Sequence, residues 1–237
     1  MSNPLRSEEI SIEGVKVCLA LPCYSGSIPL ELGLALADLT ADCQKYGVIL
    51  SILAERGNSL VTGARNKLLT QFLTETDSDY LFWVDDDIIF KSQDFITLLA
   101  LCLTRKSVAA TYCTRTDDNP VFFIHTPSGK IEFNEDGLIE ADGVGLGFAC
   151  QHRSILEPLL KGKETYLDRN KETVWDVFKI GAVDGKYYGE DMTFFKELSK
   201  NGQITYVHPF IHLKHVGRKD YDHRLMNEKE KLNGCTS

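Results

Sequence analysis

The chain has no CxxC pair, no apolar run approaching the length of a membrane span, and no internal repeat or low-complexity linker. Each absence removes a class. Without paired thiols there is no zinc site at a recognised spacing, and seven cysteines, an odd number, do not suit a full disulfide framework. Without ~20 consecutive apolar residues there is no candidate membrane helix. Met1 to Gly14 is polar and acidic and lacks the apolar core of a signal peptide, which points to a cytoplasmic protein. Positive charge is scarce: 26 Lys and Arg stand against 34 Asp and Glu, a net charge of −8. A protein that grips nucleic acid over its whole surface is basic. Only a local patch remains for that role, formed by Lys214, His215, Arg218, Lys219, His223 and Arg224. A glycine-rich phosphate loop is missing too, with only Ser25-Gly26-Ser27 after the first strand.

What is present suffices for one domain with a substantial core, since 43% of the 237 residues are hydrophobic. Cys18, Cys102, Cys113 and Cys150 sit in apolar or small-residue segments and read as small hydrophobes. Val15 to Leu21 reads as a strand. Ser27 is placed to cap a helix with Leu30, Leu34, Ala37 and Ala41 on its apolar face, broken at Gly47. Val48 to Ala54 is a second strand. Leu60 to Thr74 is helical, with Val61, Ala64, Leu68 and Phe72 on one face. Tyr80 to Val84 is a third strand, Ser92 a cap for a helix to Thr104, and Val108 to Tyr112 a fourth strand. This alternation predicts an α/β fold with a mostly parallel, Rossmann-like sheet flanked by helices. Beyond residue 112 the pattern changes to short antiparallel segments at Val121 to His125, Lys130 to Phe133 and Leu138 to Glu140. Gly145 to Gln151 reads as a strand, Lys161 to Lys186 as an irregular loop, Asp191 to Lys200 as a helix, and Gln203 to Val207 as a last strand. A charged tail follows Tyr221.

The most informative stretch is Asp85-Asp86-Asp87, set between Leu81–Val84 and Ile88–Phe90. Three adjacent carboxylates between apolar segments repel one another and cost desolvation unless a cation sits there. The carboxyl end of a strand in an open α/β sheet is where ligands bind. A divalent cation carrying a phosphorylated ligand suits both conditions, because Mg²⁺ takes one or two carboxylates and completes its shell with phosphate and water. An acidic turn is the plainer reading, but such turns usually have polar flanks.

Several further pieces occur in order: Leu21-Pro22-Cys23-Tyr24, Ala64-Arg65-Asn66, Gly145-Leu146-Gly147-Phe148, Gly189-Glu190-Asp191 and His215-Val216-Gly217. With the triplet as a DxD motif, the chain resembles glycosyltransferases of the GT-A fold, and within them the compact proteins of phages and large viruses. The resemblance implies a single domain over residues 1–237. About 15–112 would form the nucleotide-sugar half, about 113–220 the smaller antiparallel acceptor half, and 221–237 the tail, in the host cytoplasm if the chain is viral. It implies a nucleotide-diphosphate sugar donor, UDP-sugar foremost, with Mn²⁺ or Mg²⁺. Asp87 becomes the primary metal ligand, Asp85 a donor-side or metal partner, and Asp86 the spacer that also faces the donor. His215 becomes the third ligand, with His212 and His208 as competitors; imidazole suits Mn²⁺ better than Mg²⁺. Glu190 and Asp191 match the acidic pair at the acceptor, with Asp191 as general base. They also read as an acidic helix start that complements the dipole.

Around this frame Pro22, Tyr24, Glu55, Arg65 and Gly147 are donor-binding candidates. Tyr24 would stack on the base, Glu55 bind base or ribose, Arg65 reach the diphosphate, and Gly147 let backbone approach the sugar. Trp175, Tyr187 and Tyr188 are candidates for an acceptor platform. Trp83, Phe194 and Phe195 read as core. The acceptor is a hydroxyl compound, with hydroxymethylated bases of phage DNA as one candidate and a viral or cell-surface glycan or glycoprotein as another. A sugar-phosphate nucleotidyltransferase and a binding module without turnover are the competing classes. The first would release pyrophosphate from a nucleoside triphosphate and the second would bind without transfer.

Overall fold

The computed structural model describes residues 11–115, 120–183, 185–217 and 220–221. Strand β1 (Lys16–Cys23) leads through α1 (Leu30–Tyr46), β2 (Ile49–Arg56) and α2 (Val61–Glu75) to β3 (Tyr80–Val84). The short β4 (Ile88–Ile89), α3 (Ser92–Arg105) and β5 (Ser107–Ala109) complete the alternating half. Then come β6 (Ile124–His125), β7 (Ile139–Ala141), β8 (Gly143–Val144) and β9 (Phe148–His152), followed by α4 (Arg153–Leu156) running into a 3₁₀ turn over Glu157–Leu160. Two hairpins follow, β10 (Thr165–Leu167) with β11 (Thr173–Trp175) and β12 (Gly181–Val183) with β13 (Lys186–Tyr188). The chain closes with α5 (Glu190–Lys200), β14 (Thr205–Val207), β15 (Lys214–Val216) and β16 (Asp220–Tyr221).

One mixed sheet of seven strands, in the order β2-β1-β3-β9-β5-β14-β7, runs through both halves of the chain. Pairing is parallel for β2-β1-β3 and β5-β14, whereas β9 runs against both β3 and β5, and β7 against β14. The two-residue side-chain period of a strand sorts the core into two layers. Val17, Leu19, Leu21, Phe82 and Val84 pack with α1 and α3. Cys18, Ala20, Leu81 and Trp83 pack with α2 and α5, where Phe194 and Phe195 are also buried. Every residue of β3 is therefore covered, which explains its unbroken apolar sequence. Among the described residues Cys18, Cys23, Cys43, Cys102, Cys113 and Cys150 are free and buried, and burial lifts the Cys43 thiol to about 11.

Several expectations are corrected. The buried face of α1 is Leu32, Ala35, Leu39 and Cys43, while Leu30 and Leu34 are exposed. Both sets obey the helical period, so packing against the sheet and α3 decides, not the pattern. Ser27 belongs to a turn with Ser25, and α1 starts after Pro29 with no side-chain cap. Its end is as expected: Gly47 takes a left-handed φ of 71° that suits glycine, and its N–H closes on Cys43 and Gln44 carbonyls. Ser92 is the first residue of α3, not its cap, and its hydroxyl donates to Asp42 on α1. The fourth strand is Ser107–Ala109, and the one expected at Gly145 begins at Phe148. Residues 161–186 hold two hairpins rather than an irregular loop. Asp168 nucleates the first turn by accepting from the Asn170 and Glu172 N–H groups, and Lys67 of α2 holds the same carboxylate at 2.8 Å. That partner lies a hundred residues away in sequence, beyond the reach of local pattern. Of the three small antiparallel segments, the last becomes β7, an edge strand of the main sheet.

The reassigned α1 face sets a test. Leu39→Ala is expected to lower unfolding free energy by about 2–5 kcal/mol, and Leu34→Ala by less than about 0.5 kcal/mol. Urea unfolding midpoints of the two variants check it.

Candidate functional site

Asp85 continues the alternation of β3 and so points to the α2 and α5 side of the sheet. Its backbone N–H donates to Gly147 O at 3.1 Å, just before β9. Opposite it stands Arg65 of α2, only 3% exposed. Arg65 Nη2 donates to both Asp85 carboxylate oxygens, at 3.1 and 3.2 Å, and its Nε lies 3.6 Å from Glu190 at the start of α5. The guanidinium stacks over Trp83, 5.9 Å from the ring centroid. Two helices and the central strand thus meet at one cation. Burial alone would lower the Arg65 pKa, but Asp85, Glu190, Tyr112 and Asp191 outweigh it and hold the pKa above the ordinary value. Asp85 is shifted upward: burial is the largest cause, Glu190, Asp191 and Asp86 add to it, and Arg65 only partly offsets them. Asp191 is raised by burial and then by Glu190. Its Oδ1 also accepts from the Met192 N–H at 2.7 Å, so the helix-start reading holds alongside any chemical one. Arg65 Nε and Nη1 have no hydrogen-bond partner.

Gly147 is required here for a reason other than sugar contact. A Cβ on it would sit 2.7 Å from the Tyr112 hydroxyl and 2.8 Å from Asp85 Oδ2. The bare backbone passes between the two, and its N–H donates to the Tyr112 hydroxyl at 3.1 Å. Tyr112 was not singled out by sequence reasoning. Its available signal is an aromatic at the end of the segment expected as the fourth strand.

On the other side of the triplet, β15 pairs with β4 in the register His215↔Ile88, and the Val216 N–H donates to Asp87 O at 2.8 Å. This pairing sets His215 Nε2 3.6 Å from Asp87 Oδ1. His215 Nδ1 lies 2.9 Å from Cys113 O, to which it donates, so Nε2 carries the lone pair. Burial is the main reason the His215 pKa falls below the usual value, and the nearby Arg115 cation pushes the same way. Arg115 pairs with Asp87 Oδ2 and donates from Nε to His215 Nε2 at 3.0 Å. It too was missed by sequence reasoning, although it follows the fourth strand closely. His212 lies near Asp94 of α3, whose carboxyl burial raises and Lys91 and His212 partly hold down. Among the described residues no three His, Cys, Asp or Glu side chains form a ready metal cluster. The expected trio is therefore split: Asp87 and His215 face each other, and Asp85 is held by Arg65.

A cavity of about 320 Å³ opens beside the triplet, lined by Pro22, Cys23, Tyr24, Asp85, Asp86 and Asp87 with the start of α2. Glu55 lies instead in a larger neighbouring cavity of about 650 Å³, and Asn58 lines both. Glu55 is 3.7 Å from Lys67, which also binds Asp168 and Glu172. Asn66 faces away from the triplet. Its Oδ1 accepts from the Val177 and Phe178 N–H groups and its Nδ2 donates to Asp176, so it fastens the segment after β11 to α2. Of the platform candidates, Trp175 is partly buried, Tyr187 is 77% exposed, and Tyr188 lies under Lys196. Of the basic patch, Arg218, Lys219, His223 and Arg224 lie outside the described residues, and Lys214 is 3.9 Å from Glu31.

No family model and no curated protein matches the chain. Among solved structures, A197 from STIV aligns over 86% of this chain and 86% of its own, with a TM-score of 0.53 and 22% identity. That likeness is one of fold. TarS 1–349 of S. aureus, in complex with UDP-GlcNAc, aligns over 82% of this chain with a TM-score of 0.46 and 12% identity, and this chain spans only 56% of it. A mutant Drosophila β1,4-galactosyltransferase 7, in complex with manganese, UDP-Gal and xylobiose, aligns over 92% of this chain and 73% of its own. Its TM-score is 0.44 at 14% identity.

Removing the central cation has a signed pH consequence. Arg65→Ala leaves buried carboxylates unpaired and is expected to cost about 3–5 kcal/mol at pH 7. Asp85 and Asp191 have raised folded-state pKa values, which rise further without Arg65. The folded variant then binds extra protons as pH falls, so its deficit against the parent shrinks between pH 7 and pH 5. Denaturant unfolding of both proteins at the two pH values measures it.

Proposed function

We propose that the chain is a GT-A glycosyltransferase that moves a sugar from a nucleotide-diphosphate sugar, a UDP-sugar foremost, to an acceptor hydroxyl with a divalent cation. The observation that carries this reading is the convergence of Arg65, Asp85, Glu190 and Asp191 at the end of β3, beside a cavity walled by Asp86 and Asp87. A cation site made only of an acidic turn would not need a buried arginine linking it to a second acidic pair.

The donor set fits the cation that the resemblance implies. Asp87 offers a carboxylate and His215 an imidazole whose Nδ1 proton is tied down by a backbone carbonyl, the arrangement that orients a histidine ligand. Asp87 and His215 would hold Mn²⁺ or Mg²⁺, which supplies Lewis-acid stabilisation of the departing diphosphate. Pro22 and Tyr24 wall the donor cavity, and Asn58 joins it to the larger one, where Glu55 and Lys67 meet the nucleoside. Arg65 fixes Asp85 and Glu190 in place. In the transfer, the acceptor oxygen bonds to the anomeric carbon as the bond from that carbon to the β-phosphate oxygen breaks. The electron pair leaves with the diphosphate and the hydroxyl proton passes to Asp191. A carboxylate with a raised pKa is the better base for this task. The acceptor is a hydroxyl compound, with hydroxymethylated bases of phage DNA one candidate to assay alongside glycans.

Two experiments test the reading. A thermal-shift screen of uridine, guanosine and cytidine diphosphates and their sugar conjugates with Mn²⁺ is expected to raise Tm for the uridine series. EDTA and Asp87→Ala are expected to remove that shift; an unchanged shift rejects the cation assignment. For transfer, Asp191→Asn is expected to lower kcat about 10²–10⁴-fold. Since the base works deprotonated, kcat falls as pH drops through a limb lying above the ordinary aspartate range, and the variant lacks that limb.

A further inference from the structure

The two side chains assigned to the cation are already engaged by a cation of this chain. Arg115 takes Asp87 Oδ2 and, through Nε, the single lone pair of His215 Nε2. The Asp87 oxygen nearest His215 Nε2 is Oδ1, at 3.6 Å, but a divalent ion held by both side chains needs the Nε2 lone pair that Arg115 occupies, so arginine and metal are mutually exclusive at the imidazole. The triplet as a whole is served by two guanidiniums of opposite character. Arg65 on Asp85 is buried, stacked on Trp83 and held from a helix. Arg115 on Asp87 is 42% exposed and extends from the segment after β5. The backbone behind it stays fixed without the side chain, because Cys113 is bridged to Phe122 and its carbonyl anchors His215.

We propose that Arg115 is an exchangeable resident cation. It neutralises Asp87 and keeps His215 in the ligand tautomer until a divalent ion displaces it. The inference rests on the metal reading above and adds how entry to that site is regulated. Exchange is easy because an ion pair this exposed contributes little. Arg115 therefore sets a threshold: the protein without donor takes up metal less readily than its ligand pair alone would.

Titration of Mn²⁺ into the full chain without nucleotide, followed by the EPR signal of free Mn²⁺, tests this without an activity assay. Arg115→Ala is expected to bind Mn²⁺ roughly fivefold more tightly than the parent, with Arg115→Lys between them and Asp87→Asn losing the site. Unfolding curves establish that each variant is folded. If Arg115→Ala binds no more tightly while Asp87→Asn still abolishes binding, the exchange is wrong and the metal site stands. If no protein binds Mn²⁺, with or without UDP, or if binding ignores Asp87, the metal reading falls and the exchange falls with it.

Discussion

A buried guanidinium surrounded by carboxylates is the constraint around which the rest is arranged. Arg65 cannot shed its proton, so its burial is tolerable only while Asp85 and Glu190 stay within reach. Those carboxylates are in turn tolerable only beside Arg65. This mutual dependence fixes the distance between the end of β3 and the start of α5. It also explains the neighbours: Trp83 supplies a flat apolar floor, Gly147 leaves room for Asp85, and Tyr112 fills the space that a side chain at 147 would have taken.

The sheet supplies the positions. Strand parity places Trp83 and Asp85 on the face of α2 and α5, and β9, running against β3, brings Gly147 to the Asp85 amide. The triplet then turns, with the Ile88 N–H donating to Asp85 O. The short β4 beyond it is the template on which β15 pairs to deliver His215. Consecutive aspartates consequently face different surroundings: one an internal arginine, one a cavity, one an imidazole and an exposed arginine.

The legible parts are those that local chemistry determines. The strand–helix alternation, the acidic end of β3 and the core roles of Trp83, Phe194 and Phe195 follow from period and burial, and the joining of Arg65, Asp85 and Glu190 into one region is implied by the resemblance. The opaque parts depend on partners far along the chain. The face of α1 is undecided because Leu30 and Leu34 repeat as well as Leu32 and Leu39. The β10–β11 hairpin depends on Lys67 reaching Asp168. Arg115 carries no motif at all, and its place is visible only once β15 is paired to β4.

Adjacent residues of α2 reach two distant parts of the polypeptide. Arg65 meets the end of β3, and Asn66 grips the chain at 176–178, more than a hundred positions on. A rigid rod with a hand at each station couples them mechanically. It also imposes a timetable: during synthesis the acidic bend is laid down early, but the strand that covers it and the amides that Asn66 holds emerge late. Closure of such long loops slows the search for the native state, so the early α/β layer must persist with an unfinished rim while the remainder arrives.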